Sequence, residues 1–132
     1  MIIVVKGKPQ GKGRPRFTKS GHAYTPKNTS DYERQIRFQW AKGYYEKIQD
    51  KPVCVKVRAE FKVPKSVAKA KREALHGEPY LHKPDIDNII KICLDALNGL
   101  AYADDRQIAS VEGEKVYGEQ ERVTITINEL KR

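Results

Sequence analysis

The 132-residue chain carries 26 Lys+Arg against 17 Asp+Glu, a formal net charge of +9, with 39% apolar and 33% charged residues. That length predicts one domain over residues 1–132, able to bury roughly two-thirds of its unfolded surface without disulfide staples. No apolar run approaches the ~18 residues of a membrane span. Met1–Val5 is too short for a signal-peptide core, and Cys54 and Cys93 make neither a disulfide framework nor a zinc site. The expectation is a cytoplasmic protein with no membrane partner.

Residues 2–5 are β-branched and predict a short buried strand. Residues 7–21 hold Gly7, Gly11, Gly13, Gly21, Pro9 and Pro15 among Lys8, Lys12, Arg14, Arg16 and Lys19. They predict a basic loop, with a short strand pair around Arg16-Phe17 and His22-Ala23-Tyr24. Ser30 and Glu33 fit a capping box. A helix is expected from there, its core stripe Tyr32, Ile36, Trp40, Tyr44 and Ile48 recurring every four residues. From Val53 to Val63 apolar residues alternate with Cys54, Lys56, Arg58, Glu60 and Lys62, the pattern of a strand with one face on the core. Pro64 closes it.

A short basic helix is expected over 65–75, then a breaker-rich loop over 76–84. A second main helix is expected from Asp85 to Asn98, stopped by Asn98-Gly99. Strands over 107–116 and 121–128 are expected to form a hairpin around Gly118. The whole order predicts an α+β fold: two layers, with helices packed on a mixed sheet of about four to five strands.

Charge divides along the chain: +7 over residues 1–50, +6 over 51–83 and −4 over 84–132. A basic body of this kind attracts a polyanion, and nucleic acid is the commonest. The acidic third is organised. On a helix started near Asp85, Asp87, Lys91 and Asp95 form a stripe opposite the apolar face, and Asp85 sits beside Asp87. Two such carboxylates suit a hard divalent cation, which takes one or two carboxylates plus water and phosphate oxygens. Lys91, one turn on, suits a phosphate or an attacking water. A plainer reading exists for each residue. First-turn acids favour the helix dipole by ~0.3–1 kcal/mol, and Asp87 with Lys91 is an i,i+4 pair worth ~0.2–0.5 kcal/mol. Asp-x-Asp also occurs in some sugar-transfer enzymes, although this chain lacks room for a nucleotide-sugar domain. Asp104-Asp105 lies ahead of a strand that could return beside the helix and bring a third carboxylate to the site. Three carboxylates in a basic protein fit metal-assisted phosphodiester cleavage, with the basic loop and basic helix gripping DNA phosphates. His22, His76 and His82 share no ligand spacing and are expected on the surface.

Taken together, Lys83-Pro84-Asp85-Ile86-Asp87-Asn88-Ile89-Ile90-Lys91, then Asp95-Ala96-Leu97-Asn98-Gly99, Asp104-Asp105 and the upstream Gly13-Arg14-Pro15-Arg16 resemble the RusA-type Holliday junction resolvases. The resemblance covers most of the chain in the right order. It implies that Asp85, Asp87 and Asp105 bind Mg²⁺, or Mn²⁺, and that Lys91 is the essential lysine. It places a basic residue at Lys83. A lysine there keeps the charge but not the bidentate phosphate grip of an arginine. Lys12, Arg14, Arg16 and Lys19 are the other expected DNA contacts. The implied partners are four-way junction or other branched DNA and a second copy of the chain. A nuclease for another branched DNA and a non-catalytic nucleic-acid-binding protein are the competing readings.

Overall fold

The structure is a computed structural model that describes residues 1–131; residue 132 of the expected 1–132 domain lies outside them. Its elements are β1 (Ile2–Lys6), β2 (Arg16–Phe17), β3 (Ala23–Tyr24), α1 (Lys27–Lys42), β4 (Val53–Lys62), α2 (Lys69–Leu75), α3 (Ile86–Leu97), a 3-10 turn (Asp105–Gln107), β5 (Ile108–Gly118) and β6 (Arg122–Glu129). The fold is α+β, with a four-stranded mixed sheet in the order β1-β6-β4-β5 and a separate two-stranded ribbon, β2-β3.

The alternation in β4 sets the layers. Val53, Val55, Val57, Ala59 and Phe61 are buried on one face, where Val123, Ile125 and Ile127 of β6 and Ile3 and Val5 of β1 join them. Helices α1 and α3 cover that face and pack on each other. They contribute Tyr32, Ile36 and Trp40 from α1, and Ile89, Ile92, Cys93, Ala96 and Leu97 from α3. Each fully buried large side chain stabilises the fold by ~1.5–3 kcal/mol relative to exposure. Burial pushes the Cys93 thiol up to about 12, so it remains a protonated core residue. On the opposite face Lys56 and Arg58 pair across the strands with Glu112 and Glu114.

The expected hairpin of the last two strands does not form. β5 lies parallel to β4 and β6 lies antiparallel to it, so β4 separates them. The chain steps over the end of β4 through Glu119–Glu121, where Arg122 pairs with Glu60 (2.5 Å). Alternation specifies which face of a strand is buried, but not which strand lies beside it.

Helix α1 also departs from expectation at both ends. It starts at Lys27 behind Pro26, and the Ser30 N–H donates to the Pro26 carbonyl (3.1 Å), so Ser30 lies inside the helix and caps nothing. Glu33 is instead paired with Lys12. The helix stops at Lys42. Tyr44 has a positive φ (53°) and is 93% exposed, while Ile48 forms a bridge with Tyr102. Tyr45 takes over by packing on Trp40 (centroids 4.9 Å apart) and donating its hydroxyl to the Ile2 carbonyl (2.9 Å). These are tertiary contacts that a continued helix would forfeit. The basic helix α2 is shorter than expected, because residues 64–67 form a turn closed by the Val67 N–H on the Pro64 carbonyl. Helix α3 matches the expected span within one residue at each end, with Asp85 and Asn98 as its caps.

Candidate active site

The start of α3 is fixed by what lies on either side of it. Gly113 of β5 faces the helix. A side chain there would come within 2.7 Å of Ile90 Cδ1 and 3.3 Å of Ile86 Cδ1, so glycine lets the first turns of α3 settle onto the sheet. On the other side runs the basic loop. The Lys12 N–H donates to the Asn88 carbonyl (2.8 Å), and the Gly13 N–H donates to Thr29 Oγ1 (3.0 Å). A Cβ at Gly11 would stand 3.0 Å from Asn88 Cβ and 3.1 Å from Pro84 Cβ. The loop therefore runs against both helices. Between it and the helix start lies a cleft of about 610 Å³, lined by Lys8, Gln10, Lys12, Asn28, Lys83, Asp85 and Asn88, among others.

Asp85 occupies the N-cap position of α3 without a side-chain capping bond, and Asp87 sits in its first turn, both exposed. Asp87 Oδ1 accepts the Asn88 N–H (2.9 Å). Among the described residues no cation lies within 4.0 Å of either carboxylate. Asp85 lines the cleft with Lys8, Lys12 and Lys83, and Asp87 follows it in the first turn, so two hard oxygen ligands stand at one helix end with no cation paired to them. That donor set fits Mg²⁺ or Mn²⁺, with water and phosphate oxygens completing the shell. Lys91 is exposed one turn further along α3.

Asp105 is not gathered with these two. Strand β5 does run beside α3, as expected, but the acids ahead of it lie near the far half of the helix. The Asp105 carboxyl is pushed up, first by burial and then by the charges of Asp95 and Asp104. Asp95 stands about 12 Å along the helix from Asp87 at 1.5 Å per residue. Among the described residues no three His, Cys, Asp or Glu side chains assemble as a metal site. The two neighbouring acids do separate in role. Asp104 accepts the Arg106 N–H (3.1 Å) and its own N–H donates to Gln107 Oε1 (2.9 Å), so it caps the 3-10 turn. Asp105 has no such task.

The expected phosphate contacts divide as well. Arg14, Arg16 and Lys19 are exposed on and around the β2-β3 ribbon, beside Phe17 (70% exposed) and Tyr24 (48%). Lys83 is exposed at the cleft, and His22, His76 and His82 are on the surface as expected. Lys12 is committed internally, with its Nζ 2.9 Å from Glu33 Oε2 and 3.1 Å from Asp95 Oδ2. Tyr80 lies stacked on Phe61 (centroids 3.8 Å apart, planes at 2°). The sequence placed Asp95 on the Asp87–Lys91 stripe and Lys12 among the DNA contacts, but gave no signal that the two pair with each other and with Glu33.

Exposed acids at a helix start beside a basic loop are compatible with a nuclease, and comparison with known proteins gives the class. The family model for Endodeoxyribonuclease RusA matches residues 6–128. The chain belongs to that family and is an endodeoxyribonuclease. One relative, the uncharacterized protein YqaN of Bacillus subtilis (strain 168), is 33% identical over 135 residues, covering 97% of this chain and 95% of YqaN.

Proposed function

We propose that this chain is a Mg²⁺-dependent, structure-selective endodeoxyribonuclease that resolves Holliday junctions by paired cuts in DNA recombination and repair, working as a homodimer in the cytoplasm. The observation that carries the reading is the pair of exposed acids at the start of α3, Asp85 and Asp87, with no cation partner, the first of them lining a cleft with Lys8 and Lys83. Asp85 and Asp87 hold the ion, which when bound activates water and stabilises the leaving oxygen; Mn²⁺ suits the same oxygens. Lys91 offsets phosphate charge one turn away. Lys83 attracts the scissile strand as a point charge, and Arg14, Arg16 and Lys19 hold the DNA backbone further out. Asp105 is the third proposed ligand. One chain does not gather it with Asp85 and Asp87, so its part in the proposal calls for a rearrangement of the free site or for a second copy. Paired cuts in two strands related by near two-fold symmetry likewise call for two equivalent sites, which a two-fold dimer presents.

The test is incubation of the purified protein with a synthetic four-way junction, with and without Mg²⁺. Symmetric paired nicks that need the metal are expected, and Asp87→Asn should abolish them while junction binding survives or tightens. Normal cutting by Asp87→Asn would sink the metal-site assignment. Preferential cutting of forks or flaps would move the substrate to another branched DNA. No cutting by the wild type in Mg²⁺ or Mn²⁺ would leave a non-catalytic DNA-binding protein.

A further inference from the structure

We infer that Lys115 is a positioning residue: it anchors the approach to α3 so that Asp85 and Asp87 present their carboxylates to the metal in one geometry. The inference rests on the metal-nuclease reading above. Lys115 lies on β5 in register with Ala59 of β4, hence on the helix-bearing face and two residues beyond Gly113. Its Nζ donates to the His82 carbonyl (2.7 Å) and to the Pro84 carbonyl (2.9 Å). The Pro84 carbonyl belongs to the peptide that carries the Asp85 nitrogen. The carbonyl between them, that of Lys83, accepts the Tyr80 hydroxyl (3.4 Å). Three consecutive carbonyls leading into the metal-binding end of α3 are therefore held by side chains.

The holders are themselves held. The Tyr80 ring is stacked on Phe61 and meets Tyr117 and His82 edge-on. Lys115 Nζ lies 5.6 Å from the centroid of that ring, within cation–π range. The backbone of the same segment is tied to the edge of β5. The Tyr80 N–H donates to the Lys115 carbonyl (3.0 Å), the Gly77 N–H donates to the Tyr117 carbonyl (2.8 Å), and the Tyr117 N–H donates to the Glu78 carbonyl (3.0 Å). Among the described residues no carboxylate lies within 4.0 Å of Lys115. The ammonium is spent on backbone carbonyls and not on a surface ion pair. Groups that orient metal ligands from behind commonly change metal affinity or activity 10–100-fold when removed.

The test compares wild type with Lys115→Met, which keeps the stem and removes the donors, Lys115→Arg, which restores donors and charge, and Tyr80→Phe, which removes only the hydroxyl. Mn²⁺ affinity is read by electron paramagnetic resonance without DNA, and junction cleavage is titrated with Mg²⁺. Lys115→Met should weaken Mn²⁺ binding about 10-fold or more and raise half-saturating Mg²⁺ in parallel, with junction affinity in EDTA unchanged within about two-fold. Lys115→Arg should recover most of the loss, and Tyr80→Phe should show a smaller loss of the same kind. Should Lys115→Met fail to fold, Tyr80→Phe decides, and wild-type Mn²⁺ affinity in that variant would overturn the role. A folded Lys115→Met with wild-type Mn²⁺ affinity overturns it outright. A wild type that neither binds Mn²⁺ nor cuts DNA overturns the nuclease reading itself, a result separable from both.

Discussion

Replacing Lys12 with methionine separates a structural from a DNA-contacting role. The ammonium bridges Glu33 and Asp95 at 2.9 and 3.1 Å, and the three side chains are 19%, 11% and 35% exposed. Breaking a fully buried pair by removing one partner costs ~3–5 kcal/mol, whereas an exposed pair is worth ~0–1 kcal/mol. Glu33 lies near the first limit and Asp95 near the second, so Lys12→Met should cost about 2 kcal/mol. At ~2.1 cal/mol/K of unfolding entropy per residue, that lowers Tm by ~7 °C. In a double-mutant cycle, adding Glu33→Gln should recover about 1 kcal/mol or more, since the stranded charge goes with it. Burial acts to lower the Lys12 pKa, but the hydrogen bonds and charges of Glu33 and Asp95 outweigh it and hold the group above the ordinary lysine value of 10.5. A raised folded pKa means that the stabilisation is fully present below the unfolded pKa and is lost as pH rises through the folded one. The Lys12→Met deficit should thus be constant through neutral pH and, on the alkaline side, shrink above about pH 10.5. Thermal melts and urea titrations measure both. A wild-type Tm in Lys12→Met, together with a flatter salt dependence of DNA binding, would refute this reasoning and assign the lysine to DNA phosphates.

Two further outcomes are expected. Replacing Arg14 and Arg16 together with alanine should weaken binding to duplex and junction alike and reduce the slope of log K against log salt by about 2, measured by fluorescence anisotropy; an unchanged slope would place the β2-β3 ribbon away from DNA. Asp105→Asn should abolish cleavage yet leave the free protein slightly more stable at neutral pH. Burial and the charges of Asp95 and Asp104 oppose ionisation of Asp105, so the gain should vanish as pH falls through that raised pKa, as followed by Tm against pH.

What could be read from the linear chain was local. The alternation of Val53–Val63 identified β4 and its buried face, because pleating puts every second side chain on one side. The 3.6-residue period of α3 placed Asp85 and Asp87 at its start and Lys91 one turn on, all of which the structure keeps. The Ser30 cap and the long α1 stripe misled for the same reason. They are local signals, overridden by Pro26 ahead of the helix and by the contacts of Tyr45 and Ile48 behind it.

Residues 84–132 carry their acids at positions that the chain order alone revealed. Which acids meet, however, depended on the direction of β5 along α3, and that direction follows from its parallel pairing with β4, a choice made between strands some fifty residues apart. The same non-local packing turned Lys12 inward onto Glu33 and Asp95 and brought Lys115 beneath the carbonyls of His82 and Pro84. Period and charge report what one residue does relative to its neighbours in sequence. The partner of an ammonium is decided by which elements pack together, and only the tertiary structure contains that.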